Sequence, residues 1–274
     1  MSSLSIGKAW DEAKAALQAN RKLIVPVGLG LVLLPAVVVS MVEPQVPPGQ
    51  QPPAGPWMFI ALAMVFVMII GQMAIVLLVN GWHGSVGEAI GRATRRMPTL
   101  LLALLTYLLP VIFVFSVILA IVSIGTGGSG EVDWANFSTA GWMALLICLL
   151  LLLYITVRLM PLTPVVAIEQ IGPISALKRS YALTAGHFWR LLGFFLLLAI
   201  AFLIVAITVG AVVGALVTLV TGPPEPWTLS LLVIALAAGL VQAGFVMVYL
   251  GMLARIYSQL SAGQAGVPEV KREA

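Results

Sequence analysis

The sequence predicts an all-α polytopic membrane bundle of about six spanning helices with amphipathic interfacial helices, and three observations carry that expectation. Only 9% of the 274 residues are charged and 61% are hydrophobic, with a mean hydropathy of +1.11. A soluble domain carries roughly 25% charged residues, so this chain has too few to cover a water-facing surface. Six runs, at 23–42, 57–79, 99–123, 142–162, 188–221 and 227–253, are apolar almost throughout. A helix needs about 20 such residues to cross a bilayer. The third observation is the placement of charge. All fourteen basic residues precede the first run, lie between the second and third, lie between or at the facing ends of the fourth and fifth (Arg158 and Arg190), or follow the sixth.

The first run follows a long polar segment and has no A-x-A-like cleavage site, which makes it a retained helix and not a signal peptide. Barrel strands would be about 10 residues long and would alternate apolar with polar residues; these runs are longer and apolar on every side. The fifth exceeds a simple span, which predicts a tilted or interfacial extension. Loops 43–56, 124–141 and 222–226 hold no Lys or Arg and instead carry Glu43, Glu131, Asp133 and Glu225. By the positive-inside rule both termini are then cytoplasmic. The net charge of +4 therefore marks one face and a partner among anionic lipids, not nucleic acid. The single cysteine, Cys148, falls within the fourth run and reads as a buried structural thiol.

Three polar segments precede spanning runs and share a pattern: Ile6, Gly7, Lys8, Ala9 onward to Asn20; Val86, Gly87, Glu88, Ala89 onward to Pro98; and Ile174, Ser175, Ala176 onward to His187. Ala9 to Asn20 and Ala176 to His187 are the same eleven-residue step, and the middle copy is about two residues shorter. Each segment leads into two apolar runs. This predicts three parallel units, 1–82, 83–170 and 171–261, within one membrane domain that ends in a cytoplasmic tail at 262–274. Gln72 precedes Gly81, and Gln242 precedes Gly251, by the same nine residues. Helical spacing places Leu4, Trp10, Ala13, Leu17 and Ile24 on one stripe, and Ile174, Leu177, Tyr181 and Phe188 on another. Basic residues beside aromatics at an apolar boundary suit interfacial helices: Arg92, Arg95, Arg96, Lys178, Arg179, Trp189 and Arg190 are candidate lipid contacts.

The stretch from Arg158, Met160 and Pro161 through Glu169 and Gly172 to Ala176, Leu177, Lys178, Arg179, Ser180, Leu183, Gly186, Phe188, Trp189 and Arg190 resembles a recurring signature. It is similar to the membrane domain of bacterial glycerophosphoryl diester phosphodiesterases and its stand-alone, mostly uncharacterised relatives. That resemblance implies a six-helix module of the bacterial inner membrane. It does not imply diesterase activity, whose metal-binding carboxylates and paired histidines belong to a separate soluble barrel that this sequence lacks.

Arg158 and Glu169 flank Pro161 and Pro164. A helix breaks or kinks at such prolines, which predicts that Glu169 folds back to pair with Arg158, as a structural clamp or a headgroup contact. Gln72 and Gln242, inside apolar helices, are candidate hydrogen-bond partners across the bundle. Gly127, Gly128, Ser129 and Gly130 match a serine-protease form, but an external loop cannot bring Ser129 to the cytoplasmic His83 or His187, so they read as linker. Those histidines are too isolated for a metal site, and no cofactor motif is present. The reading that follows is a non-enzymatic membrane module engaging anionic lipids or a membrane partner, in the service of envelope lipid homeostasis. The alternatives are a small permease or channel, and an assembly factor for a membrane complex.

Overall fold

A computed structural model describes residues 5–44, 46, 52–125, 139–222 and 227–265. Helix α1 (Ile6–Ala19) leads into α2 (Arg21–Gly28), which continues through a π-helical turn at Leu29–Leu33 into α3 (Leu34–Val42). There follow α4 (Trp57–Val79), α5 (Val86–Gly125), α6 (Thr139–Arg158), α7 (Leu162–Ile168), α8 (Pro173–Leu183), α9 (Phe188–Thr221) and α10 (Leu229–Ala265). Six helical stretches are long and apolar enough to cross a membrane: Arg21–Val42, Trp57–Val79, Val86–Ala120, Gly141–Ile168, Phe188–Thr221 and Leu229–Ala262. They match the six runs of the sequence, and the described residues are helical wherever they are regular.

Local chemistry explains the irregular points. Pro35 has no N–H for the Leu31 carbonyl, and the chain widens there: the Leu34 N–H reaches Leu29 O, a π-type step. Gly71 of α4 lies against this turn. A Cβ at Gly71 would sit 2.6 Å from Leu31 Cβ and 3.0 Å from its carbonyl oxygen, so only glycine permits the approach. α5 runs unbroken through Pro98 and Pro110, and its interfacial segment is fused to its span. The corresponding junctions elsewhere do break, at Asn20, the C-cap of α1, and at Gly186, whose φ is +80°.

The three interfacial segments begin in the same register. Ser5, Ser85 and Gly172 stand four residues before Ala9, Ala89 and Ala176, whose N–H groups bond back to those carbonyls at 3.0, 3.1 and 2.9 Å. Ser5 Oγ accepts from the Lys8 N–H, and Ser85 forms a reciprocal capping box with Glu88. Ala9, Ala13, Ala89, Ala93, Ala176 and Ser180 are all buried. Each segment lies on the second spanning stretch of the preceding hairpin: α1 on α10, α5 on α4, and α8 on α7, which continues α6.

The buried faces therefore differ from the expected stripes. Trp10, Ile174 and Tyr181 are exposed, while the small residues beside them face the bundle; Leu4 lies outside the described residues. Lipid is as apolar as leucine, so close van der Waals fit and not apolarity decides which face turns inward. At the opposite end Trp57 opens α4, Trp142 sits in the first turns of α6 and Trp227 precedes α10. Trp142 and Trp227 are exposed, as tryptophans of a membrane interface are.

Candidate functional site

The end of the bundle that holds α1, α7 and α8 collects the charges. Among the described residues, twelve basic side chains stand there against four acidic ones, Asp11, Glu12, Glu88 and Glu169. Long-range polar contacts tie the end together. The Ser5 N–H donates to Gln259 Oε1, and Gln259 Nε2 to Glu12 Oε2. Arg255 Nη2 donates to Val79 O at 2.6 Å and Arg92 Nη2 to Ile168 O at 3.0 Å. Both carbonyls terminate helices, α4 and α7, where a cation satisfies an orphan acceptor and the negative end of the helix dipole. Thr184 Oγ1 donates to Arg158 O at 3.0 Å and so closes α6 in the same manner. Arg92 also lies 5.4 Å from the centroid of the Trp82 ring.

The segment between α6 and α9 breaks at Pro161 as expected, but Arg158 and Glu169 do not pair. Glu169 Oε1 accepts from Tyr257 Oη at 2.7 Å and from Arg179 Nε at 3.2 Å. Glu169 thereby joins α8 to α10, and α7 ends by handing it in that direction. Arg158 instead lies over two phenol rings, 4.6 Å from the Tyr181 centroid and 5.4 Å from that of Tyr154. Its Nε donates to Tyr154 Oη at 3.2 Å, and its Nη1 is buried without a hydrogen-bond partner among the described residues. The two hydroxyls are 3.1 Å apart. That bond pushes the Tyr181 phenol above its usual pKa, so Tyr181 does not act as a counter-ion to Arg158. The guanidinium is held by ring faces, a geometry suited to Arg and not to Lys.

The remaining sequence candidates fall into two groups. Arg95, Lys178, Trp189 and Arg190 are exposed at the basic end, Trp189 at 79%, and Arg96 is half-exposed. The side chains of Gln72 and Gln242, the candidate hydrogen-bond partners across the bundle, make no hydrogen bond among the described residues. Gln242 instead borders a cavity of about 180 Å³ between α9 and α10 that Phe202, Val209 and Gly210 also line. Gly210 and Gly214 have the G-x-x-x-G spacing that permits close helix approach, but a Cβ at either would meet no atom within 4 Å among the described residues. Cys148 is buried and unpaired. No group of three or more His, Cys, Asp or Glu that could hold a metal ion gathers among the described residues; Ser129 lies outside them.

Sequence reasoning missed Tyr154, Thr184, Arg255 and Tyr257. Tyr154 was within reach, since it stands one helical turn before Arg158. Tyr257 carries no local signal, being 88 residues from Glu169.

Helix count, apolar length and a polar end held by helix-capping side chains define a multi-pass α-helical membrane protein. The chain belongs to the family described as domain of unknown function DUF7847, whose profile matches residues 4–260. No curated protein and no solved structure matches it.

Proposed function

We propose that the protein is a non-enzymatic module of the cytoplasmic membrane that holds anionic lipid against its cytoplasmic face. One observation carries the reading: among the described residues, twelve basic side chains to four acidic at one end of the bundle, with exposed aromatics among them. Trp189 and Arg190 open α9, and Lys178 and Tyr181 project from α8. A cation set at headgroup depth beside an aromatic ring is attracted to an anionic leaflet by about 1 kcal/mol per residue. Glu169 is the one acidic residue of α7–α8 and is already taken by Arg179 and Tyr257. By the positive-inside rule this end is cytoplasmic.

The threefold parallel repeat belongs to the same reading. The common register of Ala9, Ala89 and Ala176, and the cyclic order in which α1, α5 and α8 lie on preceding hairpins, support it. Three repeats would present three interfacial segments to one leaflet.

The test is lipid composition. Protein extracted in mild detergent is compared with a Lys178→Gln, Trp189→Ala, Arg190→Gln variant, and the bound lipid is quantified by mass spectrometry. The wild type should be enriched in phosphatidylglycerol over zwitterionic lipid relative to the source membrane, and the variant should lose most of that enrichment. Bound lipid of bulk composition in the wild type would refute the proposal.

A further inference from the structure

The proposed contact with anionic lipid is diffuse, but one place at the basic end has the form of a discrete site. A cavity of about 240 Å³ lies between α1 and α10, walled by Trp10, Ala13, Leu17 and Val248, with Lys14 and Arg21 at its rim. It arises from the way α1 meets α10. A Cβ at Gly251 would stand 3.1 Å from Leu17 Cδ1, so Leu17 seats directly on the bare backbone there. One turn earlier on α10, Val248 borders the cavity. Lys14, Gln18 and Arg21 follow a 4–3 step along one face of the chain, so the polar edge runs beside an apolar slot.

The walls and the rim select the same occupant. An apolar cavity does not hold ordered water, which needs two to four polar partners, and at bilayer depth the available filler is hydrocarbon. The volume is below the roughly 300 Å³ at which pockets for drug-sized ligands begin, and suits a length of acyl chain. At the rim Lys14 has only the exposed Asp11 at 4.0 Å, and Arg21 has no ion pair among the described residues. Trp10, 46% exposed, places the slot at the depth where amphipathic rings reside. The cavity between α9 and α10 shows the contrast: it has Gln242 and no cation on its border.

We propose that the α1–α10 cavity binds one anionic glycerophospholipid, with a stretch of acyl chain between Leu17 and Val248 and the phosphate held by Lys14 and Arg21. This rests on the reading of an anionic-lipid module and gives it a defined site. Native mass spectrometry of the detergent-solubilised full chain, titrated with palmitoyl-oleoyl phosphatidylglycerol or phosphatidylcholine, tests it. The wild type should retain one phosphatidylglycerol per chain at least tenfold more strongly than phosphatidylcholine. Lys14→Gln with Arg21→Gln should abolish that preference, and Val248→Trp, which fills the slot and keeps both charges, should abolish retention. Size-exclusion profiles identify any variant that fails to fold; the double glutamine variant is confined to exposed side chains and keeps the test decisive. Phosphatidylglycerol with a dibrominated acyl chain should quench wild-type tryptophan fluorescence more than that of Trp10→Phe. Retention unchanged in both cavity variants would overturn the site. The Lys178, Trp189, Arg190 variant should keep the single lipid while losing bulk enrichment, so the site and the wider function fail separately.

Discussion

Removing the Glu169 carboxylate is the most direct probe of how the basic end is assembled. Glu169→Ala deprives two donors at once, Tyr257 Oη at 2.7 Å and Arg179 Nε at 3.2 Å. The two losses differ in weight. The ion-pair side chains are 22% exposed for Glu169 and 36% for Arg179, so the cation keeps water, and its share is about 1 kcal/mol, near the upper end for solvated pairs. Tyr257 is buried, and an unmatched buried hydroxyl costs about 1–3 kcal/mol. The expected total is about 2–4 kcal/mol, less than the 3–5 kcal/mol of a fully buried broken pair. Tyr257→Phe alone should cost about 1 kcal/mol, because Glu169 then retains Arg179. Free energies from SDS-titrated unfolding in mixed micelles supply the double-mutant cycles. Glu169 and Tyr257 should couple by about 1–2 kcal/mol, whereas Arg158→Ala and Glu169→Ala should add within about 0.5 kcal/mol, as sites with no shared partner do. Additivity for the first pair, together with coupling of Arg158 to Glu169, would refute the pairing described.

Two further outcomes are expected. In a Cys148→Ser background, single cysteines at Gln50, Glu131 and Glu225 should react with an impermeant thiol reagent outside intact cells, while those at Ser85, Ser175 and Gln264 should not; labelling of the second set reverses the topology. Gly71→Ala should cost about 1–3 kcal/mol through overpacking against Leu31, whereas Gly7→Ala, with nothing within 4 Å of the new methyl, should be neutral in the same unfolding assay.

The spans were legible because lipid imposes a length and an apolarity that few other contexts demand. Cap chemistry was not read from the sequence, although Ser85 and Glu88 stand at capping-box spacing and form that box. Orientation of the interfacial helices was not legible, since hydropathy assigns large apolar residues to a core. Here Ile174 and Tyr181 face outward and Ala176 and Ser180 inward. The Arg158–Glu169 pairing failed for a related reason. Charge and proximity in sequence nominated the partner, but Arg179 sits on the helix that Glu169 introduces and Tyr257 on one made far later. Tertiary packing decided between cations that sequence separation could not rank.

The seat of α1 on α10 also sets an order of events during synthesis. Ser5 meets Gln259 across 254 positions, so α1 leaves the ribosome long before its partner exists. At roughly 5–20 residues per second, the wait is on the order of ten to fifty seconds. Throughout that interval α1 lacks α10, the helix it packs on most extensively in the finished bundle. Synthesis of α10 ends that interval, so α1 reaches its seat only after every span among the described residues has been made.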